Sequence, residues 1–450
     1  MHSLCEVAEK KVSMVLLLRQ KTYIKVFAFS FLCTLFVIYL HLALPSMFNQ
    51  FAKTNFFFSD VSTRISEPYG EYVWNLHTTH PVFARRQLTT QVVHLFQHVF
   101  DIGIMPAFIL LQSLLLFFSG VALFYFIRAV ELEKYWFVSL AAFYTTFPIL
   151  FAFLPSIWSY DDLWQIFFLF LVLANAWNRR YTFTLFFLFL ALVSRESTIL
   201  AFPGVFGIMV YRGYAGVKTK ISFRSIFTHG LMLLLPIVVY MLYYVALGHI
   251  LHIQGSDVAY MTTERFRHVM YNFQNTAYSV ESLVAPVLVC GLAVYALFRS
   301  LQGGYMKETF FPLVIGFVVT MFVNVLAVYT GGHAYEMRLF FLPLVFLYPL
   351  LGFLYMKELR TIRDIVKKHT MHRRAAPILF TYFISFFLCI FATIVFSFFV
   401  YSPVGGGPVS MIYQCFLFFV LFFIALSMCL HSVDKSMKLP APEGRGISSL

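Results

Sequence analysis

Arg195 and Glu196 stand together in Ser194-Arg195-Glu196-Ser197, flanked by apolar stretches 181–194 and 197–211 that are each too short to cross a bilayer. A crossing helix needs about 20 residues, and an unpaired charge at mid-depth costs several kcal/mol, so such residues ordinarily line a wet cavity walled by protein. A tight helical hairpin carrying a self-neutralising ion pair is the plainer alternative. Three other segments repeat the theme. Leu154 to Leu163 places Asp161 and Asp162 beside Trp158 and Tyr160, where the two acids either serve a site as second carboxylates or complement a helix dipole behind an N-capping Ser159. Gly331 to Arg338 joins flexible glycines to His333, Glu336 and Arg338, a pattern that also suits an ordinary helix start.

The longest polar segment, 46–104, holds Asp60, Glu67, Glu71, His77, His80, Arg85, Arg86, His94 and His98. Beyond Pro81, the residues Leu88, Val92, Leu95, Phe96, Val99 and Phe100 recur at helical spacing, which predicts a helix lying in the membrane interface. His249 and His252 could begin a metal site, but no third ligand follows at a recognised spacing, and a solvated loop is the simpler reading.

The elements that must position these residues follow from composition. Of the 450 residues 60% are hydrophobic and 12% charged, 57 are Phe, and the mean hydropathy is +0.79, which describes an all-α polytopic membrane protein rather than a soluble one. Apolar runs predict about twelve transmembrane helices, near 26–45, 105–127, 135–154, 161–177, 181–194, 198–211, 226–248, 283–298, 309–330, 339–356, 376–401 and 410–431. The first run is long and lacks a convincing small-residue cleavage site, so it reads as a span and not a leader.

The net charge of +13 does not indicate nucleic acid, because its distribution is that of a topology signal. With the N-terminus assigned to the cytoplasm and the sides alternating, 25 of the 33 Lys and Arg fall in cytoplasmic segments. Both termini are then cytoplasmic, and the segments containing Asp60, Asp161, Arg195 and Arg338 all share the outer side. Five of the six cysteines fall within predicted spans, so no disulfide framework is expected. The outer loops contain no Asn-x-Ser/Thr acceptor, which suits a bacterial inner membrane without excluding the endoplasmic reticulum.

The order of these segments resembles the GT-C class of membrane glycosyltransferases. The resemblance rests on Asp60 to Arg86 in the first outer loop, Tyr160-Asp161-Asp162, Ser194-Arg195-Glu196-Ser197-Thr198 followed by Pro203, and Glu336-Met337-Arg338 before Phe340-Phe341-Leu342-Pro343. It implies a GT-C-like arrangement over 26–345, with outer loop 46–104, preceded by a basic arm at 1–25. Further helices at 346–431, with a basic loop at 357–374, and a tail at 432–450 follow. It also implies transfer of a sugar, with inversion, from a polyprenyl-phosphate carrier to a glycan, lipid or protein acceptor outside the cytoplasm.

On that reading Asp60, Glu67 and Glu71 are the candidate catalytic bases, with Asp60 favoured. Arg85, Arg86, Arg195 and Arg338 hold the donor phosphate or shape the site with Glu196 and Glu336, and Glu196 orients Arg195. Asp161 and Asp162 supply second carboxylates, and a divalent cation is left open. The class commonly carries paired acids early in the first loop, whereas this chain has separated ones. Two readings of other classes compete: a secondary transporter or lipid flippase, which would need a site reachable from both sides, and a noncatalytic membrane scaffold.

Overall fold

The computed structural model describes residues 21–40, 67–80, 83–151, 160–214, 223–252, 267–332, 334, 337–371, 375–400 and 408–438. Helices dominate these residues, and none of them forms a strand. Seven helices are long and apolar enough to cross a membrane, which makes the chain an integral, multi-pass membrane protein of all-α class. The other five positions read as spans, 135–154, 161–177, 181–194, 198–211 and 339–356, fall on shorter, broken or more polar helices.

The first helix, α1 (Lys21–Leu40), is followed by two helices of the first outer loop, α2 (Glu67–Thr79) and α3 (Gln87–Phe100). Helix α4 (Ile104–Ala129) then runs 26 residues, about 39 Å at 1.5 Å per residue and ample for the hydrocarbon layer. The span expected at 135–154 is broken into α5 (Trp136–Tyr144) and α6 (Phe147–Phe151). Next come α7 (Asp162–Trp177), α8 (Tyr181–Ser194) and α9 (Phe202–Tyr214), the last entered through a 3-10 turn over Glu196–Ala201. The remainder comprises α10 (Phe223–Ile250), α11 (Thr276–Gln302), α12 (Phe311–Gly331), α13 (Leu344–Met371), α14 (Ala375–Val400) and α15 (Pro408–Lys438).

Burial sorts these helices. Thirteen of the sixteen residues of α7 are buried, because α4, α8, α9 and α13 pack around it. In contrast α10 shows large apolar side chains to its surroundings, including Leu231, Leu235, Val238 and Leu242. Helix α14 does the same with Phe380, Phe387 and Phe391, as lipid-facing helices must when hydrocarbon replaces water as solvent. Prolines 236, 286 and 349 lie inside α10, α11 and α13, a placement common in membrane helices.

The helix expected from Arg85 to Ile104 is present as α3 (Gln87–Phe100). Thr89, Thr90 and Val93 turn inward, while Leu95, Val99 and Phe100 are exposed. The turn into α4 uses Asp101 in the left-handed conformation (φ 52°), then Gly103 as N-cap.

Close approach of α9 and α12 depends on two glycines. A Cβ on Gly204 would come within 3.0 Å of the Gly316 Cα and 2.5 Å of the Phe346 ring, so both positions need hydrogen where a side chain would begin.

Candidate functional site

The site is built where four distant segments meet at the first turn of α7. Tyr160 fixes the start of that helix, its ring stacked between His77, with centroids 3.8 Å apart, and Phe108 at 5.2 Å. Its carbonyl accepts a hydrogen bond from Gln112 Nε2 of α4 at 3.0 Å. Asp161 is the N-cap residue by position, yet neither acid caps the helix with its side chain. Asp161 Oδ1 accepts from Thr89 Oγ1 of α3 at 2.5 Å, while its Oδ2 is buried without a hydrogen-bond partner among the described residues. Asp162 faces two cations: Arg338 Nη1 donates to Oδ2 at 2.8 Å, and Arg195 is ion-paired with Oδ1. Asp162 stands in the first turn of α7, as the dipole reading expects, and the two acids also make long-range partners, while Ser159 lies outside the described residues.

Arg195 and Glu196 make their direct ion pairs with other residues. An extended backbone at Arg195 (φ −159°, ψ 121°) ends α8 and turns successive side chains apart, so that Arg195 reaches Asp162 while Glu196 reaches Arg86. Arg86 donates from Nε to Glu196 Oε2 at 3.0 Å and pairs through Nη2 with Oε1, a two-point fork. Burial raises the Glu196 carboxyl, and the Arg86 charge and hydrogen bonds lower it by more, so it lies below the usual carboxylate range. His80, near Arg86, is held below its usual value by burial and then by that guanidinium, which leaves the imidazole neutral at pH 7.

These groups line a cavity of about 360 Å³, with Arg86, Asp162, Arg195, Glu196 and Arg338 as its charged wall and Leu200, Val328 and Leu342 among its apolar wall. Three residues not anticipated from sequence brace it. Gln165, one turn into α7, donates to Ser197 Oγ at 3.1 Å and Thr198 Oγ1 at 2.9 Å, tying α7 to the Arg195 turn. Asn324 of α12 donates to the Leu339 carbonyl at 2.8 Å and holds the 3-10 turn that carries Arg338. Thr89 holds Asp161. A polar amide within a largely apolar helix was the available signal for Gln165 and Asn324, and nothing local marked their partners.

The other expected site residues are placed differently. Glu67, read as a base, caps α4: its Oε2 accepts from the Ile104 amide at 2.9 Å and the Met105 amide at 3.4 Å. A Cβ on Gly103 would displace that carboxylate from its capping position. Glu71, the next acid on α2, is exposed and absent from the cavity wall. Arg85 is buried beside α10, its guanidinium 3.8 Å from the Tyr244 ring centroid, and it too is absent from the cavity wall. Asp60 and Glu336 lie outside the described residues.

Asp162 and Glu196 are committed to guanidiniums, leaving Asp161 Oδ2 as the one uncommitted oxygen of the three carboxylates among the described residues. No three His, Cys, Asp or Glu among the described residues group as metal ligands. What the arrangement can do is hold an anion: three guanidiniums meet in one partly enclosed cavity, and a phosphate oxygen entering it could take over hydrogen bonds now made to Asp162 and Glu196. No family model matches the chain, and comparison with curated proteins and with solved structures likewise yields no match.

Proposed function

We propose that the chain is a membrane glycosyltransferase that moves a sugar from a polyprenyl-phosphate-linked donor to a glycan, lipid or protein acceptor on the extracytoplasmic or lumenal face. The observation that carries this reading is the convergence of Arg86, Arg195 and Arg338 around one cavity in an integral membrane protein. A donor with a charged phosphate and an apolar tail matches a guanidinium-lined cavity flanked by apolar helices.

In the proposed reaction a carboxylate removes the acceptor hydroxyl proton and the acceptor oxygen bonds to the anomeric carbon. The bond from that carbon to the phosphate oxygen breaks, and polyprenyl phosphate leaves with the electron pair. Arg338, Arg195 and Arg86 would stabilise the charge growing on that phosphate. Asp60 is the favoured base, since Glu67 is engaged as a helix cap and Asp162 is held by two guanidiniums. Asp161, held by Thr89, would supply the second carboxylate.

The test is to incubate purified protein with a panel of polyprenyl-phosphate sugars and candidate acceptors and to measure released polyprenyl phosphate. Release that is lost in Arg338→Gln and in Asp60→Ala, with both variants expressed normally, supports the proposal. Movement of an intact solute across liposomes, with no release from any donor, would establish the transporter instead.

A further inference from the structure

A second cavity, of about 410 Å³, lies at the opposite end of α7, and its wall is basic: Lys134, Arg212, Lys307 and Lys357 line it, against Glu131 as its one acid. The four cations come from four different segments, each assigned to the cytoplasm by the charge distribution, and folding gathers them. Among the described residues none of the four makes an ion pair, whereas Arg128 nearby is paired with Glu133 at 3.1 Å.

Arg212 is fixed in place by a 2.8 Å hydrogen bond from Nε to the Trp177 carbonyl and by the Trp177 ring, 4.8 Å from its guanidinium carbon. Its two terminal nitrogens carry no hydrogen bond among the described residues. Lys134 sits over Tyr135 at 4.8 Å and Lys357 over Tyr305 at 5.6 Å, so three of the four cations stand on amphipathic rings of the kind that settle at headgroup depth. Like charges sharing the wall of one cavity repel one another, and an anion between them relieves that repulsion.

We propose that this cavity is a binding site for a phosphate monoester, with a membrane lipid headgroup or a soluble phosphate as its source. A concave cluster of unpaired cations between helix ends at the basic face of a membrane protein is the arrangement that anionic headgroups occupy. Arg212 supplies directional donors to the phosphate oxygens, and the three lysines supply charge. The site is independent of the Asp162 cavity and of the activity proposed for it.

The test titrates full-length protein in phosphatidylcholine nanodiscs with short-chain phosphatidate and, separately, with glycerol phosphate and inorganic phosphate, recording apparent affinity. Lys307→Gln and Lys357→Gln are each expected to weaken phosphatidate binding about fivefold, and the pair together about 25-fold. Arg363→Gln, which removes an exposed cation of α13 already bonded to Asp364, is expected to leave it unchanged. Binding of phosphatidate alone assigns the source as lipid. Equal binding of glycerol phosphate or inorganic phosphate, with the same sensitivity to Lys357→Gln, assigns it as soluble. The proposal is overturned if no phosphate compound binds, or if Arg363→Gln weakens binding as much as Lys357→Gln does.

Discussion

At the scale of residues, the three ion pairs around the cavity differ in what their removal costs. Asp162 is almost wholly buried and answers two guanidiniums, so Asp162→Ala strands two buried cations, a loss of about 3–5 kcal/mol per broken buried pair. Its thermal midpoint should fall sharply. Glu196 keeps 35% of its side chain exposed, and solvent screens its pair with Arg86 toward the 0–1 kcal/mol range typical of accessible pairs. Because the folded-state value of Glu196 is depressed, its contribution is complete above the ordinary glutamate value of 4.5 and is lost as pH falls below it. The difference in midpoint between wild type and Glu196→Gln should therefore be constant from pH 8 to 5 and shrink as pH is lowered further. A difference that grows below pH 5 would contradict the depressed ionisation. Glu67→Ala separates a capping role from a catalytic one: a cap alone predicts a stability loss of about 1 kcal/mol with turnover retained, whereas a base predicts loss of turnover.

At the scale of elements, the cavity wall depends on how closely α9 and α12 approach. Gly204→Val places methyl groups against Gly316 and Phe346, in a site with no room for them, and should cost about 1–3 kcal/mol while separating the helices that hold Leu200 and Val328 at the cavity. Gly207→Ala on the same helix meets nothing within 4 Å and serves as the control. Helix propensity favours Ala over Gly, so Gly207→Ala should be neutral or slightly stabilising, and a matched loss of stability in both variants would contradict close packing at Gly204 as the cause. Helix α3 illustrates why periodicity located an element without describing its environment. The spacing of Leu88, Val92, Leu95 and Val99 was legible, but the same pattern fits an apolar face turned inward or outward. The polar needs of Tyr160 and Asp161, which α3 meets with Thr90 and Thr89, rotated the helix so that Leu88 and Val92 pack against the core at its edge while Leu95 and Val99 are exposed.

At the scale of the whole molecule, α7 is an axle with a different chemistry at each end. Asp162 at its start lines one cavity and Trp177 at its end lines the other, about 24 Å apart along sixteen residues. Helix α12 runs the opposite way, from Phe310 beside the basic cavity to Gly331 beside the acid-base one. Single cysteines in a cysteine-free background should report this geometry. A membrane-impermeant thiol reagent applied to sealed, oriented vesicles should label Arg363→Cys and Ile199→Cys from opposite sides, with Arg363 on the cytoplasmic side. Labelling of both from one side would refute the alternating topology.

By itself the sequence determined the solvent in which this protein folds and marked, among other candidates, the five charged residues that line the cavity and Asp161 beside them. Composition and charge bias act locally and additively, so they are readable without coordinates. Arg86, Asp161, Asp162, Arg195, Glu196 and Arg338 were marked because a charge in an apolar neighbourhood is costly wherever it ends up. Only the tertiary structure decided which of them pair, because partners 110 and 176 residues apart have no local signature. It turned the adjacent Arg195 and Glu196 toward different partners, drew Glu67 away to cap α4, and gathered four scattered lysines and arginines into a second cavity. Adjacency in a chain sets which charges are available, whereas backbone direction and the need to compensate every buried charge set which of them meet.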